Sequence, residues 1–524
     1  GGVMASQGND PYAVSSFAFL YAQPAKRLRR FCATFRKAAR GNVAIIFALA
    51  LVPILAGIAG AIDFSRAYIV RERLTSALDA AGLAIGSLPE GLSQEELQLR
   101  AGKFFDANYP AYELGVPGEL QVTESDGHIY LTASASLPTA LLNILGIDEL
   151  DIDAQVRIVR ESSKIELVMV LDNTGSMSGS KLSALKTSAA EMINILFGDE
   201  ANPDHVKVGL VPFAAAVNVG SDKINAPWID RNAQSSIHGE NFVPGTNIFD
   251  LYDDIRNRSW NGCLETRPAP LDETDATPVA VDGDTLFVPW FAPDEPDRDS
   301  WWDPNYPNNY LDDENNGSPE QRQASIGKYN NAWVSSSSRG PQNGCNVRTI
   351  TPLTNDKNRL LTEIDDMIAD GMTHIPLGLA WGWRVISPTS PYTEGAAYSN
   401  RDYKKAIILL TDGENTIPGQ GWGNINGSSY TAYGYLSKQR LGTSSSSQAE
   451  AELDAKTLRI CNNVKQANIR LYTITFQVNS SSTRNMMRSC ATSPAMYYDS
   501  PSISTLQEVF QQIAGELNAL RIAE

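Results

Sequence analysis

Histidine and cysteine are both scarce in this chain of 524 residues, with four of the first and five of the second. The histidines are His128, His205, His238 and His374, and no Gly-x-Ser-x-Gly nucleophile elbow accompanies them. Nothing therefore points to a serine hydrolase, and His374 reads as a loop residue rather than a general base. No Cys-x-x-Cys occurs and the cysteine spacings are wide, which disfavours a zinc site. No EF-hand spacing is present either. Positive charge is thin beyond the start: residues 1–41 hold seven Lys or Arg against one acid, about +6, which leaves about −23 for the rest of a net −17. An acidic body of that kind argues against nucleic acid as the main partner.

What the chain does contain begins with Val43 to Ile62, twenty residues without a charge. That length matches the hydrocarbon core of a bilayer, and it exceeds the apolar part of a secretory signal. Lys26, Arg27, Arg29, Arg30, Arg36, Lys37 and Arg40 flank it on one side. By the positive-inside rule, residues 1–41 form a basic cytoplasmic arm, 42–63 a single transmembrane helix, and the remainder is exported. Gly1-Gly2-Val3 precede Met4, the expected start. One cysteine, Cys32, lies on the cytoplasmic side, and four lie in the exported part. An even number in an oxidising compartment suits disulfides. Three connectivities are open, of which Cys461–Cys490 with Cys263–Cys345 is the expected one.

Past Asp63 an apolar stripe of Ala67, Val70, Leu74, Leu78, Ala81 and Leu83 continues the helix. Ser93 to Asn108 reads as a second helix, with Ser93 and Glu96 in capping-box relation. Leu120–Thr123, Ile129–Ala135 and Leu150–Val159 read as strands, the first two joined by an Asp126-Gly127 turn. These make a small α+β module over 64–160. From Lys164 strand and helix alternate, which predicts an α/β, doubly wound sheet. Its strands are Ile165–Leu171, Val206–Phe213, Ala406–Leu410 and Leu471–Phe476. A helix carrying Leu182, Leu185, Ala189, Met192, Ile193 and Leu196 follows the first. The closing helix carries Leu506, Val509, Phe510, Ile513, Leu517 and Leu520. This 161–524 domain is expected to hold insertions at about 221–347 and 415–447, long enough to be functional or mobile. The acidic clusters Asp294-Glu-Pro-Asp-Arg-Asp and Asp312-Asp-Glu are expected to be solvated, with Ca²⁺ binding as the alternative. Trp381 and Trp383 are expected to pack in a helix.

The densest chemical signal is Asp172-Asn173-Thr174-Gly175-Ser176-Met177, directly after the strand-like run Ile165–Leu171. It sets a carboxylate and two hydroxyls, spaced two apart, on a loop opening onto a helix. Such hard oxygen donors suit Mg²⁺, with Mn²⁺ or Ca²⁺ as alternatives. The motif resembles the D-x-S-x-S metal-ion-dependent adhesion site of von Willebrand factor A (vWA) domains, with Thr174 in place of the first Ser. Asp370-Gly-Met-Thr-His-Ile-Pro-Leu-Gly-Leu is similar to that family's G-x-T-x-I-x-x-G-L and supplies Thr373. Ile407-Ile-Leu-Leu-Thr-Asp-Gly-Glu supplies Asp412. The resemblance implies Asp172, Thr174, Ser176, Thr373 and Asp412 as direct or water-bridged ligands, with a partner's acidic side chain completing the shell. The blander alternatives are that Thr373 caps a helix and that Asp412-Gly413 is an ordinary turn.

The N-terminal order Arg40-Gly-Asn-Val-Ala-Ile-Ile-Phe-Ala-Leu-Ala, then Asp63-Phe-Ser-Arg-Ala-Tyr and Leu78-Asp-Ala-Ala, resembles the TadG family of the bacterial tight-adherence (Tad, or Flp) pilus assembly system. Related pseudopilins are cut after a Gly and carry a Glu five residues on. Ile46 stands there after Gly41, so the resemblance does not extend to that cleavage. Together the resemblances imply a non-enzymatic protein of the inner membrane, its body periplasmic or surface-exposed. It would engage pilus assembly or pilin proteins through the metal. Two alternatives stand beside this: a structural vWA scaffold with a vestigial site, or a phosphotransferase using Asp172 as nucleophile. For the latter, Asp-Asn-Thr-Gly-Ser is similar to the D-K-T-G-T loop of P-type ATPases but lacks its Lys.

Overall fold

The computed structural model describes residues 42–86, 88, 92–110, 114–125, 128–159, 163–298, 300–314 and 316–522. The basic arm with Met4 and Cys32, and the Asp126-Gly127 turn, lie outside the described residues. The chain divides into two compact units, residues 1–160 and 161–524.

In the first unit, helix α1 (Asn42–Gly86) runs 45 residues, about 68 Å at 1.5 Å per residue. Among the described residues it is the one helix long and apolar enough to cross a membrane. Its first half is lined by exposed aliphatics, while Val70, Leu74, Ala77, Leu78, Ala81 and Ile85 in its second half are buried. Leu83 departs from expectation: it is 68% exposed. Ile85, four residues past Ala81, takes the stripe's next place, because side chains four apart share a helix face. Helix α2 (Gln94–Asn108) is capped by the Ser93 hydroxyl, which accepts the Glu96 N–H. Strands β1 (Val116–Pro117), β2 (Gln121–Ser125), β3 (His128–Pro138) and β4 (Glu149–Val159) form an antiparallel sheet. β1 and β2 share one edge of β3, and β4 pairs along its whole length, from His128↔Val159 to Pro138↔Glu149. Alternate residues Ile129, Leu131, Ala133, Ala135 and Leu137 of β3 are buried in one core with α1 and α2.

The second unit opens with β5 (Lys164–Asp172), α3 (Ser180–Phe197) and β6 (Val206–Phe213). An insertion follows, holding β7 (Val217–Asn218), α4 (Ile248–Asp254), β8 (Cys263–Leu264) and α5 (Pro319–Ala324). The layered core resumes with β9 (Thr351–Thr354), α6 (Lys357–Asp365), α7 (Ile375–Ile386), β10 (Tyr403–Thr411), α8 (Ser446–Gln466), β11 (Arg470–Phe476), α9 (Ser481–Cys490), β12 (Tyr497–Ser500) and α10 (Ile503–Ile522). The sheet order is β12-β11-β10-β5-β6-β9, parallel throughout except for β9. Strand order reverses between β5 and β10, the doubly wound arrangement in which ligand sites lie at the carboxyl ends of the strands. This is an α/β, doubly wound fold.

Residues alternate along β5 between two cores. Val168 and Val170 face α7, α8 and α9, and Leu167, Met169 and Leu171 face α3, α6 and α10. Helix α7 is pressed hard onto the sheet. A Cβ on Gly378 would meet the Phe213 ring at 2.5 Å, and one on Gly382 would meet Val170 at 2.3 Å. Only glycine admits that approach, and between the two Trp381 is fully buried. Disulfides join Cys263 to Cys345 and Cys461 to Cys490, the second tying α8 to α9.

The acidic insertion departs from the solvated loop expected of it. Phe242, Tyr252, Trp260, Phe287, Trp290 and Phe291 are buried continuously with the α7 side of the sheet. Asp294 and Glu295 are buried too. Asp294 accepts the N–H groups of Tyr310 at 2.5 Å and Leu311 at 2.8 Å and pairs with Lys328 at 2.8 Å. Glu295 accepts the Asn308 N–H at 2.7 Å. Asp297 and Asp313 each accept the other's backbone N–H at 2.8 Å, and Asp313 pairs with Arg322 at 3.0 Å. These acids staple the insertion's own backbone, which is how a buried carboxylate is made tolerable. Among the described residues no group of three or more His, Cys, Asp or Glu gathers as a metal cluster.

Candidate functional site

The site forms where two neighbouring central strands end. β5 and β10 run in register to Leu171↔Leu410, so Asp172 and Thr411 emerge side by side. Asp172 is fully buried. Its Oδ1 accepts the Thr174 N–H at 2.9 Å and the Thr174 hydroxyl at 2.6 Å. Its Oδ2 accepts the Thr411 hydroxyl at 2.7 Å. The Thr174 and Ser176 hydroxyls lie 3.0 Å apart, and Ser176 donates to Asp412 Oδ1 at 2.6 Å. Four of the five sequence-predicted residues thus form one chain of oxygens. It runs from a sealed end at Asp172 through Thr174 and the solvent-exposed Ser176 to Asp412.

Thr373 arrives on the loop before α7. Asn173 holds that loop through its side-chain amide on the Ile368 carbonyl at 2.9 Å and its own carbonyl on the Asp370 N–H at 2.9 Å. The Gly175 N–H donates to the Gly371 carbonyl at 3.0 Å. The Thr373 carbonyl accepts the Thr416 N–H at 3.0 Å, and its own N–H donates to the Thr416 hydroxyl at 3.1 Å. Among the described residues no hydrogen bond joins the Thr373 hydroxyl to the other four. The N-cap of α7 is His374, not Thr373, so the helix-capping alternative for Thr373 does not hold. His374 is fully buried against the Tyr433 ring. Burial pushes its pKa down to about 4.

Electrostatically the site holds more negative charge than it neutralises. Burial, reinforced by the Asp412 carboxylate, lifts Asp172 to about 6, against the pull of its hydroxyl and N–H donors. The counter-charge within reach is Lys181, whose Nζ lies 2.7 Å from Asp412 Oδ2. Two carboxylates and hydroxyl oxygens, converging at strand ends with one side open, are a donor set that fits a hard divalent cation.

Residues 41–85 match a family model described as putative Flp pilus-assembly TadE/G-like. Over that stretch the chain is TadE/G-like. Among curated proteins nothing matches it by sequence. Among solved structures it is similar to the vWF domain of the type V pili tip protein Mfa5 from Porphyromonas gingivalis, at 10% identity and a TM-score of 0.33, covering 68% of this chain and 96% of that one. It is also similar to the PilB minor pilin from Streptococcus sanguinis, solved as a point mutant, at 12% identity and a TM-score of 0.32, covering 77% and 79%. A third is proximal thread matrix protein 1 from the mussel byssus, solved with a zinc-occupied MIDAS motif, at 10% identity and a TM-score of 0.28. That match covers 68% of this chain and 46% of the mussel protein. At identities and TM-scores this low the likenesses carry no argument, and the sheet order alone carries the fold.

Three participants in the site escaped the sequence. Thr411 seals Asp172, and its signal was present, a hydroxyl at the last position of an apolar strand. Asn415 braces the Thr373 loop by accepting the Ile375 N–H at 2.8 Å and donating to Asp454 at 2.7 Å. Lys181 sits in the first turn of α3, where the helix dipole disfavours a cation. A Lys in so poor a place asks for a specific anionic partner.

Proposed function

We propose that this TadG-like chain is a single-pass protein of the bacterial inner membrane that serves Tad pilus assembly or adhesion as a binding protein. Its layout is a cytoplasmic arm over 1–41, a spanning helix over 42–63, a module over 64–160 and a periplasmic or surface-facing vWA head over 161–524. The head engages pilin or assembly proteins through a divalent metal, with Mg²⁺ the favoured ion. Asp172, Thr174, Ser176, Thr373 and Asp412 would hold the ion directly or through water. When bound, the metal supplies a Lewis-acidic face that an acidic side chain of the partner can ligate. The residues themselves do the orienting. Thr411 and the Thr174 N–H fix the Asp172 carboxylate, Asn173 ties the Thr373 loop to the Asp172 loop, and the exposed Ser176 marks the side from which a partner arrives.

The observation that carries this reading is the continuous oxygen chain from Asp172 through Thr174 and Ser176 to Asp412. A nucleophilic Asp172 is a poorer fit, since both its oxygens are held by internal donors and the residue is sealed from solvent. A scaffold reading draws on one feature: Lys181 already gives Asp412 a counter-charge. Calorimetric titration of Mg²⁺ and Mn²⁺ into the detergent-solubilised full chain, beside Asp172→Ala, separates the two. Saturable binding lost in the variant is the expected result. A folded wild type that takes up neither ion would favour the scaffold.

A further inference from the structure

We infer that the turn Leu141–Ile147 sits in the bilayer interface beside the spanning helix, so that the chain meets its membrane at two places. The inference rests on reading Val43–Ile62 as the membrane span. Twenty helical residues rise about 30 Å, the thickness of the hydrocarbon core, so Asp63 stands at its boundary. The turn is fastened at that height. The Asp63 carboxylate, itself fully buried, accepts the N–H groups of Ala140 at 2.8 Å, Leu141 at 2.9 Å and Leu142 at 2.8 Å. Arg66 donates to Asp63 at 3.1 Å and to the Pro138 carbonyl at 3.2 Å. Thr139 closes the turn by donating to the Ile147 carbonyl at 2.6 Å.

The tip of this turn has the wrong surface for water. Leu142 is buried, but Ile144 is 80% exposed, Leu145 50% and Ile147 44%. No charge occurs from Leu137 to Ile147. Beside it on α1, Ile62, Phe64 and Tyr68 are exposed as well, and aromatic residues favour the headgroup level. The turn therefore presents an apolar tip where it is fastened at the foot of the span, and a lipid surface is the occupant that its height selects. With Arg66 engaged by Asp63 and Pro138, and no cation on the turn, the contact is apolar rather than electrostatic.

The full chain with Cys32→Ser, reconstituted in phosphatidylethanolamine and phosphatidylglycerol nanodiscs, tests this with a polarity-sensitive fluorophore on one added cysteine. Ile144→Cys probes the turn and Ile54→Cys the span. Thr123→Cys probes the strand partner of Tyr130, toward the opposite end of β3. Blue-shifted emission, quenched by spin-labelled acyl chains, is expected at 144 and 54 but not at 123, and high salt should leave it unchanged. Water-like emission at 144 with quenching at 54 would overturn the inference while the anchor stands. No quenching at 54 would remove the span and the inference together. A blue shift at 144 without lipid quenching would mean that protein, a second copy or a partner, covers the turn, and would also overturn it.

Discussion

The ammonium of Lys181 lies 2.7 Å from Oδ2 of Asp412, while Oδ1 of the same carboxylate takes the Ser176 hydroxyl at 2.6 Å. One carboxylate is thus shared between an internal cation and the oxygen chain that would receive a metal. A divalent ion arriving at Ser176 must contend with a positive charge already in place.

Removing that charge should favour the metal. Lys181→Met is expected to bind Mn²⁺ roughly three- to tenfold tighter, about 1 kcal/mol for a partly exposed ion pair. Lys181→Arg should stay near the wild-type affinity. Lys181→Met should also gain more thermal stability from added Mn²⁺ than wild type does, because a ligand that binds only the folded state stabilises it by mass action. Equal affinities for wild type and Lys181→Met in a calorimetric titration would refute the competition.

A second charge pair lies inside the head, away from this site. Glu166 on β5 and Lys405 on β10 are both buried and hydrogen-bonded. Lys405 also donates to the Ile386 carbonyl at 2.9 Å, and Glu166 accepts the Ala396 N–H at 2.9 Å. Breaking such a pair strands a charge in low dielectric, so Lys405→Met should cost roughly 3–5 kcal/mol in denaturant unfolding. Glu166→Leu together with Lys405→Met should recover part of that loss, since neither charge is then stranded. A double variant no more stable than the single would show that the loss comes from packing instead.

How much of this was legible follows from where each residue's partner sits in the sequence. Asp172, Thr174 and Ser176 could be read because a strand and its loop are contiguous, and Asp412 because its strand is a plain apolar run. Lys181 could not, since a Lys on a helix reads as solvated until the strand bearing Asp412, 231 residues on, is folded against it. Asp294 misled for the same reason. Its string of acids reads as solvated, and the groups that bury it come from Tyr310, Leu311 and Lys328, 16 to 34 residues later. Leu83 failed for a smaller cause: an apolar residue inside a helix fits a stripe on paper whichever way it faces.

The burial of Asp294 should be visible in the pH dependence of stability. Desolvation outweighs Lys328 and the two N–H donors and pushes its carboxyl from 3.8 up to about 6. Between those values the folded chain keeps a proton that the unfolded chain has released. Stability from this group is therefore full below about pH 4 and is lost as pH rises through 6. Asp294→Asn retains an acceptor for Tyr310 and Leu311 but does not titrate. The difference in unfolding free energy between wild type and Asp294→Asn should thus favour wild type most at pH 4. It should shrink by up to about 3 kcal/mol by pH 7, since each pH unit between the unfolded and folded pKa values is worth about 1.36 kcal/mol. Denaturant titrations across that range read the difference directly, with the other carboxylates cancelling between the two proteins. A difference that stays flat would mean that burial and the ion pair balance. One that grows with pH would mean that Lys328 prevails and holds the Asp294 carboxylate ionised.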